Sequence, residues 1–74
     1  MDKPTITFEE FLDTWQRVVE PSKHPSERKG QSLMNYLWTV WPEEYRRITA
    51  TDVDCFYRDD LIPKTIEHLQ QIWK

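Results

Sequence analysis

Few side chains in this 74-residue chain could do chemistry: one thiol, two imidazoles, a run of carboxylates and a pair of arginines. Cys55 lies in Asp54-Cys55-Phe56-Tyr57, with Asp52, Asp59 and Asp60 close by in sequence. A nucleophilic cysteine works as its thiolate, and neighbouring negative charge disfavours that form. Cys55 therefore reads as a buried or half-buried structural thiol. His24 and His68 stand far from it along the chain, so a thiol–imidazole dyad has to be made by the fold alone. One Cys and two separated His residues match no four-ligand zinc pattern. The stretch Asp52–Asp60 has carboxylates at the first and third positions of a calcium loop. After that it fails: Phe56 replaces an oxygen ligand, Tyr57 the turn glycine and Pro63 the bidentate glutamate. With Gly30 the sole glycine, a glycine-rich phosphate loop is excluded. The chain is expected to carry no catalytic residue, no metal and no cofactor, and not to be an enzyme.

Arg46-Arg47 is the one basic group set among aromatic residues, with Trp38, Trp41 and Tyr45 near it in sequence and Arg28, Lys29 and Lys23 as further cations. Arginine beside Trp or Tyr favours protein contacts, and also stacked bases. The net charge of −3 opposes the second use, because nucleic-acid binders usually carry a basic stripe. Two placements of Tyr36, Trp38 and Tyr57 are open: they complete a tight core, or they stand exposed at a helix edge. The expected contact surface is Tyr36, Trp38, Arg46 and Arg47, facing a protein partner; a second copy of the chain burying the same edge is also open. The alternative is a small nucleic-acid-binding accessory protein using Arg46 and Arg47.

The elements that must position these residues read as helices, because apolar residues recur at three and four rather than at two. Thr7 and Glu10 form a capping box before a helix over 8–20, with Phe8, Phe11, Leu12, Trp15, Val18 and Val19 within an arc of about 120° and Pro21 as its stop. A polar loop with two prolines follows. The next helix, 27–41, carries Leu33, Met34, Leu37, Val40 and Trp41 on its apolar face, with Tyr36 and Trp38 on the flanks. Gly30 fits either the helix entry or an in-helix position that lets another helix approach closely. Pro42 opens a short helix over about 43–49, buried through Tyr45 and Ile48, with Glu43, Glu44, Arg46 and Arg47 outside. Asp54 caps a helical turn over 55–58, and the last helix spans 63–73 with Ile66, Leu69, Ile72 and Trp73 in one stripe. The carboxylates of Asp52–Asp60 are accounted for as caps of successive helical starts. The predicted core is Phe11, Trp15, Leu33, Leu37, Trp41, Phe56, Ile66 and Leu69.

The residues Gly30-Gln31-x-Leu33-x-Asn35-x-Leu37, Pro42, Ile48, Thr51, Asp54-x-Phe56-Tyr57-x-Asp59 and Ile62-Pro63 resemble a group of short proteins of bacteria, phages and prophages. The resemblance runs from about Phe8 to Trp73. It implies no assigned activity. Where many relatives have proline after the aspartate, this chain has Cys55. The pattern's polar members Gln31, Asn35, Asp54, Tyr57 and Asp59 are expected to be structural. Gln31 and Asn35, four apart on one helix face, are expected to pin the 54–60 segment, with a polar contact patch as the alternative.

The whole is expected to be one all-α bundle over 1–74, with 1–6 flexible. Composition, 38% hydrophobic and 14% aromatic with four Trp, suits a folded chain and not a disordered one. One cysteine suits a reducing compartment, and neither a leader peptide nor an apolar run of about 20 residues is visible. A non-catalytic interaction protein of the cytoplasm, with no membrane association, is the expectation these features support.

Overall fold

The computed structural model describes residues 3–73. Four helices enclose one core, and no strand occurs among the described residues. Helix α1 is a rod of three contiguous segments, Phe8–Thr14, Trp15–Val19 and Glu20–Ser22. It starts where the capping box requires: Glu10 N–H donates to Thr7 Oγ1 at 3.1 Å and Thr7 N–H donates to Glu10 Oε1 at 2.9 Å. Pro21 does not end it. The middle segment is π-helical, with Glu20 N–H reaching back to the Trp15 carbonyl, and the rod continues through Pro21 to Ser22. A π-turn advances each residue by less than the α-helical angle of about 100°. The apolar arc read at constant pitch therefore breaks down: Trp15 stays buried, while Val18 swings outward and is 57% exposed.

Helix α2 is Lys29–Val40, shorter at both ends than the apolar pattern indicated. Trp41 leaves helical geometry (φ −144°, ψ 73°) because the ring of Pro42 disfavours the α conformation in the residue before it. Pro42 then opens α3, Pro42–Ile48. Ala50 follows in the left-handed region at φ 66°, its N–H held by Asp54 Oδ2 at 2.8 Å. The expected helical turn over 55–58 is not helical. Residues 56 and 57 form a turn closed by Arg58 N–H on the Cys55 carbonyl at 3.1 Å, and the helical turn comes later, as a 3₁₀ segment Asp59–Leu61 that leads into α4, Ile62–Ile72.

Phe11, Trp15, Leu33, Met34, Leu37 and Leu69 are wholly covered, as are Trp41, Ile48 and Trp73 nearly so. Phe56 and Ile66 are only half-buried, because Phe56 sits on the turn that replaces the expected helix. Trp73 organises one end of the core: its ring meets Phe11 at 4.9 Å, Trp41 at 5.1 Å and Phe8 at 6.0 Å between centroids. Its indole N–H donates to the Ile6 carbonyl at 3.0 Å, and Lys3 Nζ donates to the Trp73 carbonyl at 3.1 Å. Residues 3–6 of the lead-in thus lie against the last helix; Met1 and Asp2 fall outside the described residues. The Cα radius of gyration, 11.3 Å, is the roughly 11 Å of a compact chain this long. No helix among the described residues is long and apolar enough to cross a membrane.

Candidate interaction surface

The thiol, the two imidazoles and the carboxylates of the acidic run each have a partner within the fold. Cys55 is wholly buried, its thiol 3.5 Å from the Gly30 carbonyl. Burial pushes its pKa up, opposed by a hydrogen bond with Thr65 and aided by the Asp54 charge, so the neutral thiol is the favoured form. The imidazoles are engaged elsewhere, His24 Nδ1 with Ser26 Oγ at 2.7 Å and His68 Nε2 with Glu44 Oε2 at 2.9 Å. The four carboxylates of the acidic run each have a structural partner. Asp52 meets Lys64 at 3.2 Å, and Asp60 takes both ends of the Arg58 guanidinium at 2.9 and 2.7 Å, which lowers the Asp60 pKa. Asp54 accepts the N–H of Ala50 and of Phe56, at 2.8 and 2.9 Å. Asp59 Oδ1 accepts the Gly30 N–H at 2.9 Å, so it caps the start of α2 across 29 residues instead of capping its own turn. Among the described residues no three of His, Cys, Asp and Glu gather as metal ligands.

Gly30 lies inside α2 and is buried. The segment that approaches it is the 55–59 loop, not a second helix: a Cβ at Gly30 would run into the Cys55 carbonyl oxygen and meet Asp59 Oδ1 at 3.1 Å. The pinning assigned to Gln31 and Asn35 is carried by other groups. Arg28 Nη1 donates to the Tyr57 carbonyl at 3.0 Å and Gly30 N–H donates to Asp59 Oδ1, while Asn35 Nδ2 donates to Glu27 Oε2 at 2.7 Å and ties down the preceding loop.

The expected surface of Tyr36, Trp38, Arg46 and Arg47 is not assembled as one. Tyr36 and Trp38, two apart, point about 200° from each other on a helix. Tyr36 stacks on Phe11 (centroids 4.9 Å apart, planes at 11°) and completes the core. Trp38 faces outward, 56% exposed, and leans on Tyr45 of α3 at 6.4 Å. Arg46 is exposed on the flank beside Tyr45; Arg47, a further 100° round, reaches Glu44 Oε1 with its Nε at 3.6 Å. Glu44 itself is 3% exposed and held between Arg47 and His68, although it had read as a solvent-facing first-turn carboxylate. Its spacing from Trp41 and Ile48, three and four residues, is the signal that would have placed it on the buried arc.

The exposed aromatic residues instead form a shelf made by α2, α3 and the 54–57 turn. Trp38 leads to Tyr45. Beyond Tyr45 lies a hollow of about 160 Å³ lined by Tyr45, Thr49, Asp54, Phe56 and Tyr57. Phe56 and Tyr57 meet edge to face at 4.8 Å and 65°, and Tyr57 is 75% exposed. Tyr45, beside Trp38, and Phe56, beside Tyr57, both line that hollow, a placement hidden in the sequence because each read as core. A second depression, about 350 Å³, lies where the lead-in crosses Phe8 and Trp73, rings already committed to each other.

These features define the class: a small all-α protein with exposed aromatic rings at Trp38 and Tyr57. Compared with known proteins, the chain matches no family model, no curated protein and no solved structure.

Proposed function

We propose that the chain is a non-catalytic interaction module, of phage or prophage origin, that engages another protein through the Trp38–Tyr45–Phe56–Tyr57 shelf. One observation carries the reading. A fold that covers Trp15, Trp41 and Trp73 leaves Trp38 at 56% and Tyr57 at 75% exposure, with half-buried Tyr45 beside the first, Phe56 beside the second, and one hollow lined by Tyr45, Phe56 and Tyr57. Large rigid rings of this kind give contact area at low entropic cost, and Trp and Tyr dominate the binding energy of protein interfaces. The experiment is capture of partners from a host lysate with the wild type and with Trp38→Ala/Tyr57→Ala. Both side chains are exposed, so the variant keeps the fold. Loss of a specific partner from the variant supports the reading, and equal recovery from both overturns it. Sedimentation at micromolar concentration separates a partner protein from a second copy.

A further inference from the structure

We infer that the hollow at the centre of the shelf is a recognition site for an alkylammonium group, the lysine side chain of the partner protein. This deepens the reading above and rests on the shelf being a contact surface. Tyr45, Phe56 and Tyr57 supply three aromatic walls, two of them at 65° to each other. The faces of such rings carry negative quadrupole density and attract cations that lie against them. The fourth wall is a carboxylate. Asp54 is fixed by the N–H groups of Ala50 and Phe56, one on each oxygen, which leaves acceptor capacity on both. Among the four acidic residues of this segment, Asp52 and Asp60 are neutralised by Lys64 and Arg58 and Asp59 sits on the helix start, whereas Asp54 borders the hollow.

The same walls argue against other ligands. An anion would face the Asp54 carboxylate. An apolar group would cover the charge of Asp54 without compensating it. At about 160 Å³ the hollow is below the roughly 300–1,000 Å³ of sites that enclose a drug-sized ligand, but it admits an ammonium head. Of the chain's own cations next to the lining, Arg58 is held by Asp60 and Arg28 by the Tyr57 carbonyl, while Arg46 stands exposed on the flank beside Tyr45 and does not line the hollow. The hollow continues into Tyr45 and Trp38, so residues flanking a lysine have a surface to lie on. That continuity favours a side chain of a protein over a free quaternary amine.

The test is an NMR titration of the full chain with three short peptides that differ at one position: lysine, trimethyllysine or norleucine. Choline serves as the free-amine probe. The expected result is saturable shifts at Thr49, Asp54, Phe56 and Tyr57 with the lysine or trimethyllysine peptide, and at least about tenfold weaker binding of the norleucine peptide. Tyr57→Ala, which removes an exposed ring and keeps the backbone carbonyl that Arg28 contacts, should weaken the cationic peptide about fivefold or more. Norleucine binding as well as lysine, or shifts confined to other residues, overturns the assignment. Choline binding more tightly than either peptide overturns the protein source. The lysate capture is read separately: a partner lost with Trp38→Ala/Tyr57→Ala, together with no preference for charge in the titration, would sink this inference and leave the contact surface standing.

Discussion

Replacing Gly30 by alanine tests the central contact of the fold, because local and tertiary effects carry opposite signs there. Within a helix, alanine is favoured over glycine by about 1 kcal/mol, so helix propensity alone makes the variant more stable. The packing reverses this. The new methyl would collide with the Cys55 carbonyl, a backbone atom that can move only with the whole loop, and would meet Asp59 Oδ1 at 3.1 Å. Forcing an extra carbon into a filled site costs about 1–3 kcal/mol. The displaced loop also weakens the Asp59–Gly30 bond that caps α2, worth about 1–2 kcal/mol, as well as the cover over Cys55. The net expectation is a loss of about 1–4 kcal/mol, against a total of roughly 4–11 kcal/mol for a chain of this size. Urea unfolding followed by tryptophan fluorescence and by circular dichroism measures it. Asp59→Ala should cost less in the Gly30→Ala background than alone, since the two act through one contact. A Gly30→Ala protein as stable as the wild type, or more stable, would refute the seating of the loop on α2.

Three other perturbations give independent readings. Ala50→Gly should raise stability by about 0.5–1 kcal/mol in the same unfolding assay, because φ 66° strains alanine and suits glycine. His68→Ala should lower it by about 1–3 kcal/mol by leaving the buried Glu44 with only Arg47 at 3.6 Å, and adding Glu44→Met should recover most of that loss. Cys55 should react with iodoacetamide only at the rate of global opening. Its pKa is raised in the folded state, so the associated stability is complete below the ordinary thiol value of about 9 and is lost as pH rises through the folded value. Urea midpoints compared across the alkaline range for wild type and Cys55→Ala check that sign, with the steeper decline expected in the wild type.

The parts of the fold that were legible in the sequence are those determined by neighbours along the chain. The Thr7/Glu10 box, the break at Pro42 and the stripe of α4 depend on residues within four positions, and the structure keeps all three. The start of α2 was misplaced because its cap is Asp59, 29 residues away. The turn at 56–57 read as helix because Asp54 looks like an N-cap; it accepts Phe56 N–H as one would, but also reaches back to Ala50 and closes a loop. The outward turn of Val18 follows from a change of pitch that no residue type announces. At the surface, Arg46 and Arg47 read as exposed, the sequence leaves Trp38 open between core and helix edge, and Tyr36 is grouped with Trp38 despite the angle between them. Tyr45 and Phe56 were counted as core because aromatic residues are most often used there.

The shelf is composite, and that links its shape to the core. Trp38 and Tyr45 stand on α2 and α3, whereas Phe56 and Tyr57 stand on a turn held to α2 by Arg28 on the Tyr57 carbonyl, by Asp59 on Gly30 and by Cys55 packed beneath. Arg28 is exposed, and a single surface contact of this kind contributes little. The position of the turn therefore depends on the buried contact at Gly30, which no ligand touches. A substitution there should disorder half of the shelf before it unfolds the helices, since α1 and α4 meet the core through Phe11, Trp15, Leu69 and Trp73 instead. Binding through the hollow should accordingly fall further in Gly30→Ala than the fraction of folded protein does.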